Sequence, residues 1–159
     1  MNNTLELRAF DETQYTLAYA QAEALFQDGG QSPFAESGYY SSLPNEPLHF
    51  YLENKLVATA TLLFMNDGAE VHKLYVHPSA RGRGIGRAAA IASIDYLFAT
   101  NDLEDVGVSI LGDSAKFWSN IVTTYGDRAL YAYPNCYFVK PGDTAKNQYP
   151  FAFENDAYS

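Results

Sequence analysis

Apolar residues along this chain switch between a two-residue period and a three-to-four-residue period, and the switches mark out its elements. Thr4 to Phe10 alternates loosely and predicts a first strand. From Asp11 to Gln27 apolar residues fall at helical spacing (Tyr15, Ala18, Tyr19, Ala22, Leu25, Phe26), and Gly29-Gly30 supplies a stop. Gln31 to Pro47 is rich in Ser, Pro, Gly and Tyr, with room for a short helix over Phe34 to Leu43. Leu48–Glu53 and Leu56–Met65 read as strands around a hairpin turn at Asn54-Lys55. Asn66-Asp67-Gly68 makes a second turn into a third antiparallel strand, Ala69–Val76. A glycine-rich loop and helix occupy Arg81 to Thr100, and Val106–Leu111 is a short apolar strand. Ser114–Tyr125 reads as an amphipathic helix with Asp113 as its N-cap. Ala129–Tyr133 and Cys136–Lys140 form a last strand pair around Pro134-Asn135. Beyond Pro141 the chain is polar, apart from Tyr149-Pro150-Phe151-Ala152-Phe153.

One segment carries chemistry: Leu74-Tyr75-Val76-His77-Pro78-Ser79-Ala80-Arg81-Gly82-Arg83-Gly84-Ile85-Gly86-Arg87. A strand stops at Pro78, three glycines bare the backbone, and a helix begins at once. The unpaired amides and positive dipole end of a helix N-terminus suit a phosphate or pyrophosphate. Arg81, Arg83 and Arg87 are three of the ten Lys and Arg residues in a chain of net charge −9, so the cationic cluster is local. A dinucleotide fingerprint starting at Gly82 and Gly84 would need glycine at 87, where Arg87 stands. A P-loop starting at Gly82 needs glycine at the same position, so it fails too. What remains is R-x-x-G-x-G, formed by Arg81, Gly84 and Gly86 after an apolar strand. This string resembles the coenzyme A pyrophosphate loop of the GNAT superfamily of N-acetyltransferases.

The resemblance extends to the order of elements over roughly residues 4–140. It implies an α/β GNAT fold: a mixed, mostly antiparallel, splayed sheet of about seven strands flanked by about four helices. The domain is then 1–140, with 141–159 as a C-terminal tail packed on the domain or at an interface. The resemblance also implies acetyl-CoA as cosubstrate and no metal. Its phosphates would lie on Arg81, Gly82, Arg83, Gly84, Ile85, Gly86 and Arg87. Its pantetheine would pair with the 69–76 strand, which brings Leu74, Tyr75 and Val76 near the thioester.

Acetyl transfer to an amine needs a group that removes a proton from the ammonium. Glu70 is the first candidate: lysine-acetylating members of the superfamily carry a glutamate at the matching place. Glu70, His72 and Leu74 share one face of their strand. His72 is a second candidate because an imidazole titrates near neutrality. The alternative for Glu70 is a solvated strand residue after a turn. Many members also place a tyrosine on the last helix, in Asn-x-x-Ala-x-x-x-Tyr, as proton donor to the leaving thiolate. Here Phe117-Trp118 aligns with the usual Phe-Tyr pair, so Trp118 takes the tyrosine's place beside the cofactor. Tyr125, two helical turns on, is a backup candidate for the acid, and the thiolate can also leave unaided or take its proton from water.

Composition narrows the partners. A length of 159 residues suits one domain with a sizeable core. Acidity argues against nucleic acid, which needs an extended basic surface. No run of apolar residues reaches the length of a membrane span, and Met1 to Arg8 has no secretory pattern. The expectation is a cytoplasmic protein without a membrane partner, with a homodimer left open. The single Cys136 excludes an intramolecular disulfide and reads as a buried, inert thiol. The resemblance places the acceptor between Gly29–Pro47 and Arg128–Lys140, which hold Glu36, Tyr39, Tyr40, Glu46, Tyr131, Tyr133 and Tyr137. Carboxylates and aromatic faces there suit a small-molecule amine. Two other readings stand: acetylation of a protein lysine or N-terminus, and a non-catalytic acyl-CoA-binding module.

Overall fold

The computed structural model describes residues 4–8, 13, 16, 44–77, 80, 82–110, 114–142 and 152–154. Eight strands form one sheet: β1 (Thr4–Arg8), β2 (Asn45–Leu52), β3 (Lys55–Phe64), β4 (Gly68–Val76), β5 (Asp105–Ser109), β6 (Ala129–Ala132), β7 (Cys136–Val139) and β8 (Ala152–Glu154). Their order is β6-β7-β5-β4-β3-β2-β1-β8. Among the described residues only β4 and β5 run parallel; a parallel neighbour needs a long crossover, and α1 (Ile85–Thr100) supplies it. The mixed, mostly antiparallel sheet matches the sequence expectation. The eighth strand does not: the apolar Ala152-Phe153 stretch of the tail pairs with β1, Leu5 opposite Phe153, and extends the sheet by one strand.

The β2–β3 hairpin turns at Glu53-Asn54, one residue before the expected position. Both have positive φ, 53° and 65°, which is the requirement of a two-residue type I′ turn, and Leu52 and Lys55 close the ladder. The helix expected over 11–27 lies outside the described residues except for Thr13 and Thr16, which are helical. The short helix expected over 34–43 lies outside them entirely.

Helix α1 is buried around most of its circumference, Ala88, Ala89, Ala90, Ala92, Ile94 and Leu97 being at most 1% exposed. A helix apolar on nearly every side is an interior helix. Its alanines join Leu5, Phe50, Leu62, Val71, Val106 and Val108 in one core. Helix α2 (Ala115–Val122) is shorter than the predicted Ser114–Tyr125, because the chain tightens into a 3-10 segment over Thr123–Arg128. Two β-branched threonines lower helix propensity there, and Gly126 (φ 57°, ψ −129°) breaks the helical path. The N-cap is Ser114 rather than the expected Asp113, which lies outside the described residues.

Candidate active site

The sheet opens between β4 and β5. Their ladder runs only from Gly68↔Asp105 to Val71↔Val108. Beyond it β4 continues along β3, with Leu74, Tyr75 and Val76 opposite Ala60, Thr59 and Ala58. β5 instead follows β7, and the Ile110 amide donates to the Asn135 carbonyl at 2.7 Å. The two strands therefore diverge, and the expected segment Leu74–Val76 borders the cleft.

The glycine loop stands at the head of this cleft. The His77 amide donates to the Val57 carbonyl at 2.7 Å, and the Ala80 amide donates to the His77 carbonyl at 2.8 Å, so the end of β4 is anchored. Gly82 and Gly84 have φ of 78° and 74°, a left-handed conformation that glycine adopts without the Cβ penalty. Gly84 is the N-cap of α1, and the first bond of the helical ladder joins the Ala88 amide to the Gly84 carbonyl at 3.1 Å. The amides of Ile85 and Gly86 thus point out of the helix end, as the sequence suggested. At Gly86 a Cβ would lie 3.4 Å from Val76 Cγ2 and 3.6 Å from Phe117 Cε2, so β4, the loop and α2 converge there. Ile85 is buried. Arg83 is exposed. Arg87 donates through Nη2 to Thr124 Oγ1 at 3.1 Å, which ties the loop to the segment after α2. Arg81 lies outside the described residues.

Below the cleft, Ala69 and Val71 turn into the core and Glu70 and His72 take the opposite face; a register shift against Thr61 and Leu62 then breaks the alternation, so Leu74 packs on the core instead of sharing the Glu70 face as expected. Ser109 on β5 donates its hydroxyl hydrogen to Glu70 Oε1 at 2.6 Å. His72 Nδ1 lies 4.0 Å from Glu70 Oε2, and the two side chains are only 9% and 17% exposed. A cavity of about 390 Å³ opens beside Glu70, lined also by Met65, Gly68, Gly107, Cys136 and Phe138. Cys136 is half-buried, so the buried thiol expected from the sequence stands at a cavity wall. Burial first, and then the charge of Glu70, push its pKa up. A thiol so placed stays protonated and weakly nucleophilic.

The aromatic residues of the last helix divide between core and loop. Trp118 is 7% exposed and belongs to the core. Phe117, packed edge-on against it at 5.1 Å, is the ring that approaches the loop at Gly86. Tyr125 lies buried between helices: its hydroxyl is 2.9 Å from Asp95 Oδ1 and 3.3 Å from the Ile91 carbonyl on α1. The Arg128 guanidinium lies over its ring at 5.2 Å. Burial raises the pKa of Asp95, while the Tyr125 hydrogen bond and Arg128 pull it back down. Among the expected acceptor-wall residues, Glu46 accepts a 2.5 Å hydrogen bond from the Tyr96 hydroxyl of α1. Tyr131 and Tyr137 pack edge to face at 5.4 Å, Tyr133 is exposed, and Glu36, Tyr39 and Tyr40 lie outside the described residues.

Sequence reasoning missed Ser109, Gly107, Phe138 and Phe117. The helix period did hold a signal for the last: Trp118, Ile121, Val122 and Tyr125 form the buried stripe, and Phe117 sits off it.

The profile of the Acetyltransferase (GNAT) family matches residues 10–110, and the chain belongs to that family. The fold is shared with a ribosomal-protein-S18-alanine N-acetyltransferase from Escherichia coli, at 17% identity and TM-score 0.62 over 91% of this chain and 99% of that one. A spermidine N-acetyltransferase chimera from Vibrio cholerae and hSSAT is similar at 15% identity and TM-score 0.61, over 86% and 94% of the two chains. The PaiA N-acetyltransferase from Thermoplasma acidophilum, in complex with coenzyme A, matches at 14% identity and TM-score 0.55, over 87% and 99%. No curated relative matches the sequence. Among the described residues no helix is long and apolar enough to cross a membrane.

Proposed function

We propose that this protein is an acyl-CoA-dependent N-acetyltransferase that acetylates a primary amine of a small molecule by direct attack in a ternary complex. The observation that carries the reading is Glu70, held by Ser109 at 2.6 Å beneath a cleft headed by the glycine loop. The loop fits a pyrophosphate: Gly82 and Gly84 take left-handed backbone, the amides of Ile85 and Gly86 face outward, and Arg83 and Arg87 add positive charge. Arg81 belongs to the same proposed set by its position in the motif. Leu74, Tyr75 and Val76 would border the pantetheine, and Phe117 would wall the loop side. The cosubstrate supplies an activated acetyl thioester when bound.

This chain's own residues then act on the amine. Glu70 accepts a proton from the ammonium, directly or through a water, and frees the lone pair that attacks. Ser109 fixes the carboxylate's orientation and leaves Oε2 for that proton. His72, 4.0 Å from Oε2, lends a titratable neighbour. Tyr125 locks α1 to the segment after α2 through Asp95, and Trp118 gives that helix its core anchor. The departing thiolate takes its proton from solvent. We infer a cytoplasmic setting, consistent with a substrate pool of small amines.

A thiol-release assay with acetyl-CoA across a panel of primary amines tests the reading. Release that depends on both amine and Glu70 is expected. Tight coenzyme A binding without release across the whole panel would favour a non-catalytic module.

A further inference from the structure

We infer that the cavity beside Glu70 seats the acceptor and takes a primary amine carried on an apolar, ring-sized body. The fate of that amine rests on the transferase reading above; what the cavity binds rests on the cavity alone.

The cavity occupies the face of β4, β5 and β7 turned away from the core packing of Ala69 and Val71. Met65, Gly107, Cys136 and Phe138 are its apolar walls, and three carboxylates line it as well. Gly107 makes the floor. A Cβ there would lie 3.2 Å from Phe138 Cε1, so the missing side chain lets the phenyl ring lie across β5. Glu70 and Phe138 both flank Gly107 through the strand registers, which puts a carboxylate and a ring on adjoining strands of one face. Cys136, with its raised pKa, stays a neutral thiol and adds apolar wall.

Charge decides between acceptor classes. Asp105 also borders the cavity, but its Oδ2 lies 3.4 Å from Lys140 Nζ, which answers its charge. Asp67, in the β3–β4 turn, lines the cavity too, but it is exposed and its charge is screened by solvent. Glu70 is the most protected of the three, held by Ser109 with His72 Nδ1 4.0 Å from its Oε2, and one ammonium matches it. A polyamine would set further cations against apolar walls, where an unpaired charge is strongly disfavoured. A ring gains from the same walls by leaving water. A volume of about 390 Å³ falls at the small end of the range for small-molecule sites.

The probes are phenethylamine, spermidine and a lysine peptide, each titrated calorimetrically into the coenzyme A complex and assayed for thiol release. Phenethylamine should bind tightest and give the highest kcat/KM, by about tenfold or more, the scale of burying two methylene-sized groups. Gly107→Val and Cys136→Phe each fill the cavity from a different strand. Both should raise the phenethylamine Kd by about tenfold or more, with coenzyme A affinity within about twofold of the parent. Tighter binding of spermidine or the peptide would overturn the inference. So would parental phenethylamine affinity in a filling variant of native circular dichroism, or no binding of phenethylamine at all. If a filling variant fails to fold, the ranking of the three amines on the parent chain still decides. Phenethylamine binding that Cys136→Phe abolishes, with no thiol release from any amine, would sink the transferase reading and leave the cavity assigned.

Discussion

Replacing Glu70 by glutamine separates chemistry from architecture. Glutamine keeps the length and the oxygen that accepts the Ser109 hydrogen bond, so the fold and melting temperature should change little. What disappears is the proposed base and its negative charge. Loss of a positioned general base lowers turnover by roughly 10²-fold or more, equivalent to about 2.7 kcal/mol of barrier. The side chain is only 17% exposed, so bulk water cannot approach it from every direction, and buffer should rescue the variant poorly. The deficit should shrink as pH rises, because an amine that is already neutral needs no base. Ser109→Ala is the companion experiment. It leaves the carboxylate but removes its 2.6 Å tether; a charge-assisted bond is worth about 1.5–3 kcal/mol. Part of that should surface as a fall in kcat of about tenfold, with KM changed less, and Ser109→Thr should restore most of it. The assay is initial-rate thiol release from pH 6 to pH 9, with saturating acetyl-CoA. Parental turnover of Glu70→Gln at pH 7 would refute the reasoning and relegate Glu70 to a surface strand residue.

The remaining predictions concern the loop and the helices around it. Gly84→Asp forces a side chain into left-handed backbone (φ 74°), and Gly86→Asp drives one against Val76 and Phe117; either should sharply weaken coenzyme A binding by calorimetry, and parental affinity in both would displace the phosphate site. Phe117→Ala should weaken coenzyme A binding more than Trp118→Phe does, whereas Trp118→Ala should cost about 3–5 kcal/mol in chemical denaturation, as a buried aromatic does. Asp95→Asn should raise the melting temperature at pH 7. Burial lifts the Asp95 pKa above its ordinary 3.8, so the fold holds that proton more tightly than the unfolded chain. Its contribution is fully present below pH 3.8 and is lost as pH rises through the raised value. The gain from asparagine should therefore fade on acidification, and a gain constant from pH 7 to pH 3.5 would contradict the assignment.

What could be read from the sequence was what a short window contains. The glycine loop is local: strand, turn and helix N-terminus follow one another within fourteen residues, so spacing alone separated it from two other phosphate motifs. Strands β2 to β4 showed themselves as apolar stretches between turns of Asn, Asp and Gly, and β5 as a short apolar run. The tail strand could not be read this way. Its three residues pair with β1 at the opposite end of the chain, and nothing within the segment specifies that register. The same limit applies at the site. Glu70 could be proposed from its offset to the loop, but Ser109 lies 39 residues away and reaches it only through the parallel β4–β5 register.

On the last helix the burial pattern and the borrowed motif point to different rings. Aligning Phe117-Trp118 with a family pair put the larger ring at the cofactor, whereas the 3.6-residue period of the buried stripe puts Trp118 in the core and releases Phe117 to the loop. Burial of an indole outweighs a pairwise match because the stripe is enforced by every residue packed on it. Tyr125 belongs to the same stripe, which is why its hydroxyl finds a buried carboxylate on α1. That pair, Glu46 on Tyr96 and Ser109 on Glu70 obey one rule: a carboxylate in a protected place is met by a hydroxyl from a neighbouring element. In two of these pairs the hydroxyl or the carboxylate sits on α1 and holds the helix. In the third both groups sit on diverging strands and Glu70 lines a cavity, and that placement, rather than residue type, supports the proposal that Glu70 is the base.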